Sequence, residues 1–329
     1  MDREMGISRE EMEEVYREME TPVKYGMILS EEGVNIDCPN VIRMPDGTWR
    51  MVYARHVPDV PGNGYETWMA RSTDLLHWET EGRLLSQKEE GWDCAQADGG
   101  LCLLNPQWEG PQDVEKFDGK YWMTYIGGSL PGYETDPLQM GIAWSNTLEP
   151  GTWTQAPEPI LRMDDPDVRP FEEVTLYKST VLWDKEERLG WPFVMYYNAK
   201  QKLWGIERIG MAVSRDMRNW KRYGAGPVVE QGIEDRWNIS GDPQIIRYRD
   251  LWVMNYFVGK DGGAYDTFAC SKDLVNWTKW EGTPLIQPSE SFDQTFAHKP
   301  YILKYQGRVY HFYCAVGDKG RGIAVAMSR

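Results

Sequence analysis

The sequence predicts an all-β fold: a five-bladed β-propeller with a short N-terminal helix and a ring closed by an N-terminal strand in the last blade. Three observations carry this prediction. A phrase of Ser, a short spacer, an apolar residue and Trp recurs as Ser72 to Trp78, Ser145 to Trp153, Ser214 to Trp220 and Ser271 to Trp277, and a truncated copy ends the chain at Ser328-Arg329. Strand-like segments repeat around each copy, and a strand-rich repeat of this kind points to a propeller. The last copy stops after its third strand, while Lys24 to Val34 near the N-terminus carries the pattern of a fourth. Pairing the two ends removes the exposed edges that an open array would leave.

The elements follow in order. Residues 8–19 read as a helix, because Ser8 and Glu11 form a capping-box pattern and Met12, Val15, Tyr16 and Met19 fall on one face. This divides the 329-residue chain into a helical extension over 1–21 and a propeller over 22–329.

In each repeat the first strand is expected at a polar residue shortly before a proline: Asp37-Cys-Pro39, Glu109-Gly-Pro111, Asp242-Pro243 and His298-Lys-Pro300. The third repeat lacks the proline, and Glu173 to Val181 is its counterpart. A turn follows, twice as Asp-Gly (Asp46-Gly47, Asp118-Gly119). Aromatic second strands come next, such as Trp49 to Tyr53 and Tyr121 to Tyr125, and third strands end in the repeat serine. Fourth strands are placed after the Trp, at Arg83, Pro159, Pro227 and Pro284. Insertions fall at 88–108 and 162–192, and insertions in repeat folds often decorate the binding face.

Composition narrows the function. Lys and Arg number 36 against 51 Asp and Glu, a net charge of −15. Nucleic acid or an anionic membrane needs a basic face, so neither is expected as a partner. Sixteen Trp and eighteen Tyr against eight Phe suit surfaces that are partly apolar and partly wet, such as sugar-stacking clefts. The five cysteines lack metal-type spacing and read as reduced thiols. The acidic N-terminus has no apolar core, so the protein as written is expected in the cytoplasm, or in the periplasm or outside the cell if a leader has been removed.

In a propeller the innermost strands line the axis, so polar groups at their starts converge. These are Asp37, Glu109 with Asp113, Glu173 with Lys178, Asp242, and His298 with Lys299. Acids crowded together push one pKa upward, leaving a neutral proton donor beside an ionised base. Cleavage of an acetal needs that pair: one carboxyl protonates the leaving oxygen and another activates water. Asp37, Glu173, Asp242 and His298 are therefore candidate catalytic groups. Only one of Glu109 and Asp113 faces inward in a given register, and Glu172 competes with Glu173. Glu109 and Asp113, with Lys178 and Lys299, are candidate substrate-binding groups. Trp92 and Trp237 are read with equal weight as sugar platforms or as packing between blades. P-loop, GxGxxG, HExxH and GxSxG motifs are absent, and four histidines make a His-rich zinc site a poor fit.

These residues resemble the five-bladed propeller glycoside hydrolases over roughly 22–329, nearest in style to family 43 and its relatives, families 32, 68, 117 and 130. Asp37 matches the place of the family 43 general base, with Cys38 between it and the proline. Trp108 to Val114 resembles a blade-two motif of that family, and His298 resembles its axial histidine. Thr295 to Tyr301 also resembles family 117, where an axial histidine is implicated in proton donation. The family 43 acid glutamate has no counterpart, and Asp242 stands in its region. The resemblance implies an inverting, exo-acting glycosidase for a plant or algal oligosaccharide. No cofactor is required, and a Ca²⁺ or similar ion on the axis is compatible with it. Two alternatives stay open: a family 130-type phosphorylase using Lys178, Lys299 and His298 for phosphate, and a non-catalytic carbohydrate-binding propeller.

Overall fold

The computed structural model describes residues 6–58, 60–202, 205–231 and 238–329. Ser8 caps the helix α1 (Arg9–Met19): its hydroxyl accepts the Glu11 amide at 3.2 Å and Glu11 Oε2 accepts the Ser8 amide at 2.6 Å. Met12, Val15 and Met19 are buried against Trp108, Tyr248 and Leu251, and Tyr16 stacks on Trp280.

The strands run as antiparallel meanders. After β1 (Val23–Leu29) come β2 (Asn35–Arg43), β3 (Trp49–His56), β4 (Glu66–Ser72) and β5 (Glu79–Leu85). The second meander is β6 (Gln96–Leu101), β7 (Tyr121–Gly128), β8 (Gln139–Ser145) and β9 (Thr154–Gln155). The third is β10 (Thr175–Trp183), β11 (Phe193–Lys200), β12 (Glu207–Ser214) and β13 (Trp220–Tyr223). The fourth is β14 (Ile239–Tyr248), β15 (Leu251–Lys260), β16 (Gly263–Ser271) and β17 (Thr278–Lys279). The last is β18 (Phe296–Tyr305), β19 (Arg308–Gly317) and β20 (Gly320–Met327). Strand β1 pairs antiparallel with β20, Val23 opposite Met327.

Apolar side chains between successive meanders form the core. Met69 and Leu84 pack with Met123 and Tyr125, Ile142 with Phe193, and Tyr196 with Met254. Val253 packs with Ile302, and Phe312 of the last meander packs with Tyr53 of the first.

The Ser…Trp phrase is a turn. Ser271 Oγ accepts the amides of Asp273 and Leu274, Asp273 Oδ1 accepts those of Val275 and Asn276, and the Trp277 indole donates to Leu274 O at 3.2 Å. Ser72 and Ser214 head the same arrangement. The side chains satisfy backbone donors that a tight reversal leaves without ladder partners.

Two expected elements move. Residues 109–114 are not a strand: the first strand of the second meander is β6, inside the stretch read as an insertion. It carries Gly99 and Gly100 where the others carry an X-Pro pair, so the proline signal pointed past it. The short fourth strands β13 and β17 begin at or just after the repeat Trp, and the Pro-rich segments beyond add only isolated bridges such as Ile209–Val229 and Asp266–Ile286.

The inner strands share a device that builds the site. Register slips between Asp37 and Asn40, between Gly241 and Gln244, and between His298 and Tyr301. Each slip holds an X-Pro pair: Cys38-Pro39, Asp242-Pro243 and Lys299-Pro300. Proline has no N–H for the ladder, and a bulge accommodates it while re-aiming the neighbouring side chain. The X residues adopt left-handed φ angles of 53°, 47° and 62°. In β10 the slip falls at Tyr177 and Lys178, without proline.

Candidate active site

Side chains from the three X-Pro bulges meet. Cys38 Sγ lies 3.4 Å from Asp242 Oδ2 and 3.5 Å from Lys299 Nζ. Asp37, one residue before its bulge, is fully buried, and its Oδ2 accepts from Lys299 Nζ at 3.0 Å, Arg321 Nη1 at 2.8 Å and the Tyr133 hydroxyl at 3.4 Å. Burial alone would raise the Asp37 pKa, but Lys299 and Arg321, helped by His298, outweigh it and hold the carboxyl well below its usual range. Burial opposes the charge on Lys299 in turn, yet Asp37, Cys38 and Glu134 keep its pKa well above normal. His298 Nδ1 lies 3.1 Å from Cys314 O. A carbonyl only accepts, so Nδ1 carries the proton and Nε2 keeps its lone pair. Burial depresses the His298 pKa to about 3, Asp37 opposing and Arg321 and Lys299 reinforcing.

The loop between β7 and β8 reaches this cluster from the second meander. Its Tyr133 ring covers Arg321 at 4.9 Å, and Glu134 Oε1 pairs with Lys299 at 3.2 Å. Beside them opens a cavity of about 280 Å³. Three carboxyl groups line it, Glu134, Glu207 and Asp242, together with His298, Lys299 and Arg321. Tyr177, Phe257 and Phe296 supply apolar wall. Asp136 accepts from the Tyr177 hydroxyl at 3.3 Å and from Lys200 Nζ at 2.8 Å, bracing a further side of the cavity.

Glu207 opens β12 opposite Lys200 of β11. Burial raises its pKa to about 8; Lys200 opposes and Glu134 reinforces the rise. Asn198 joins the acids: its amide nitrogen donates to Glu207 Oε2 at 3.0 Å, and its oxygen accepts the Asp242 amide at 3.4 Å. Burial likewise raises Asp242 to about 6, against Lys299. Gly241 makes the close approach possible, since a Cβ there would lie 2.7 Å from the Phe257 ring and 3.0 Å from Asn198 Nδ2. The arrangement therefore holds one protonated carboxyl beside an ion-paired carboxylate in a single small chamber, the equipment of acid–base hydrolysis.

Metal-ligand atoms of Asp37, Cys38 and Glu134 lie within 4.8 Å of one another, and so do those of Asp37, His298 and Cys314. Ca²⁺ takes about six to eight oxygens. Each group here includes a cysteine, and a basic nitrogen already reaches into each, Lys299 into the first and Arg321 into the second. These residues do not fit an axial Ca²⁺.

Among solved structures, one described as a glycoside hydrolase shares 42% identity, covers 98% of this sequence and 96% of its own, and superimposes with a TM-score of 0.93. Another, described as a complex of BT0996 with RGII, has the same identity, coverage and TM-score. This protein belongs to the glycoside hydrolases. A thermostable family-43 glycoside hydrolase superimposes at 0.63 with 17% identity over 94% of this sequence and 92% of its own, a likeness of fold. No family model and no curated protein matches the sequence.

Within this glycoside hydrolase, four residues singled out from the sequence stand together: Asp37, Asp242, His298 and Lys299 all lie in or against the cluster. Lys178 sits beside it, fully paired with Asp98 at 2.6 Å and Gly99 O at 2.8 Å. Others lie elsewhere. Glu173 is exposed at the end of a 3₁₀ turn before β10, whose bulge offers Tyr177 and Lys178 instead. Its neighbour Glu172 is buried in an ion-pair network with Arg169 and Arg222. Glu109 is exposed and bound to Lys304 beside α1, and Asp113 lies in the β6–β7 connection. Both fall away from the cavity because β6, not their segment, is the inner strand. Trp92 stacks on Tyr125 at 5.5 Å, its indole donating to Pro157 O, a packing position. Trp237 lies outside the described residues. Sequence reasoning passed over Glu134 and Glu207. Glu134 sits in a loop outside the repeat, and Glu207 opens a third strand, where only the first was searched.

Proposed function

We propose that this enzyme hydrolyses a glycosidic bond with Glu207 as general acid and Glu134 as general base, releasing one terminal sugar at a time. The observation that carries the reading is the shared cavity: Glu207, its pKa raised to about 8, faces the same chamber as Glu134, whose carboxylate is paired with Lys299. At neutral pH Glu207 holds the proton that a leaving oxygen needs, and Glu134 is placed to take one from water. As the bond breaks, the Glu207 proton passes to the departing oxygen while water adds to the anomeric carbon and gives its proton to Glu134. Asp242 adds negative charge that raises Glu207 further and favours the positive charge developing on the sugar.

A chamber of about 280 Å³ lies near the lower end of ligand cavities, roughly 300–1,000 Å³, and supports exo action on a single ring. The meanders act as five blades: successive cores join each to the next, and the packing of Phe312 against Tyr53, with β1 beside β20, supports closure of the ring. The relative described as a complex with RGII supports an RGII-derived oligosaccharide as substrate, reached with inversion of configuration. Incubation with RGII-derived oligosaccharides, followed by proton NMR of the first-formed anomer, tests all three points. Release of internal fragments, retention, or no turnover of any glycan overturns the corresponding one.

A further inference from the structure

The ammonium of Lys299 stands among three potential metal ligands: Asp37 Oδ2 at 3.0 Å, Glu134 Oε1 at 3.2 Å and Cys38 Sγ at 3.5 Å. Lys299 is 5% exposed and Asp37 is fully buried, so water competes little for either charge. The X-Pro bulge that aims Lys299 inward recurs at Cys38 and Asp242. One backbone device thus presents a thiol, a carboxylate and an ammonium from three meanders, and the ammonium is the member that links the other strands. Through it Glu134, which arrives on a loop, is tied to Asp37 on a strand.

We propose that Lys299 is a positioning residue standing in for a resident metal ion: its ammonium fixes the Glu134 carboxylate in working orientation and makes catalysis independent of divalent cations. The inference rests on the reading of Glu134 as base. A point charge with three rotatable donors suits this place, since it satisfies a carboxylate on each side without a coordination geometry. Loss of the ammonium frees Glu134 to swing with its loop, and it leaves two carboxylates and a thiol within 4.8 Å with nothing positive among them.

The experiment measures kinetics and melting temperature with EDTA and with added Zn²⁺ or Ca²⁺, for the wild type, Lys299→Met and Lys299→Ala. The wild type should keep its kcat and melting temperature in every condition. Both variants should lose about 100-fold or more in kcat, the scale of a misplaced catalytic group, with KM changed less than about threefold. Lys299→Ala should gain a Zn²⁺-dependent rise in melting temperature that the wild type lacks. Wild-type activity abolished by EDTA and restored by metal overturns the proposal, as does a Lys299→Met enzyme with normal kcat or a Lys299→Ala protein indifferent to Zn²⁺. If neither variant folds, the wild-type arm decides. Unchanged kcat in Glu134→Gln removes the role of Glu134 instead, and leaves the Zn²⁺ response to judge Lys299.

Discussion

Lys299 Nζ lies 3.0 Å from Asp37 Oδ2, an ion pair between residues 262 positions apart in the sequence. Arg321 makes a second pair to the same oxygen at 2.8 Å. Asp37→Asn would leave two buried cations short of their counter-charge. Breaking a buried pair costs about 3–5 kcal/mol, and denaturant unfolding should show a loss of that order. A variant as stable as the wild type would mean that Asp37 acts on the substrate alone.

The same cluster sets an acid limit to stability. His298 has a folded pKa depressed to about 3, so the unfolded state holds the extra proton between roughly pH 6.5 and 3. Its contribution is complete above pH 6.5 and drains away as pH falls toward 3. Asp37, also depressed, adds a loss that begins below its unfolded pKa near 4. Melting temperature should therefore fall between pH 6.5 and 4, and His298→Gln should flatten that slope. An unchanged slope in the variant would place the acid sensitivity elsewhere.

Glu207→Gln removes the proton donor. Hydrolysis of natural glycosides should drop by about 10²–10⁴-fold, and substrates with acidic phenol leaving groups should suffer much less because they depart without protonation. Equal losses on both kinds of substrate would contradict the acid role.

The wild-type kcat/KM should decline above about pH 8 as Glu207 ionises. Asn198 donates to Glu207 at 3.0 Å, so Asn198→Asp both removes that donor and adds a negative charge. Each change disfavours the ionised form, and the alkaline limb should move upward. A downward shift would mean that another group controls it.

Ser271 Oγ accepts two backbone amides of its turn. Ser271→Ala should cost about 1–2 kcal/mol, within the range for unpaired buried donors, and leave kcat/KM intact. A catalytic defect at normal stability would give the repeat phrase a role beyond the turn.

The outer parts of each meander were readable because they depend on local rules. The Ser…Trp turn bonds within seven residues, the capping box of α1 within four, and the second and third strands alternate in a plain period of two. The proline rule located β2, β14 and β18 and failed at β6, where glycines replace the X-Pro pair and the inner strand has no local mark. Alignment on the polar residue also set Asp37 beside Asp242 and His298, whereas the bulges pair Cys38 with Asp242 and Lys299. A one-residue offset of this sort redirects a side chain without altering the pattern of apolar residues.

Periodicity and turn chemistry by themselves determined the all-β class, the repeating unit, the helix and the proximity of Asp37, Asp242, His298 and Lys299, because each rests on short-range hydrogen bonding and burial. Tertiary structure alone decided which acids face the chamber. Glu134 reaches it on a loop, Glu207 from the start of a third strand, and both gain their character from groups distant in sequence. A proton affinity depends on desolvation and on charges a few ångströms away, and those distances exist only once the meanders have packed together.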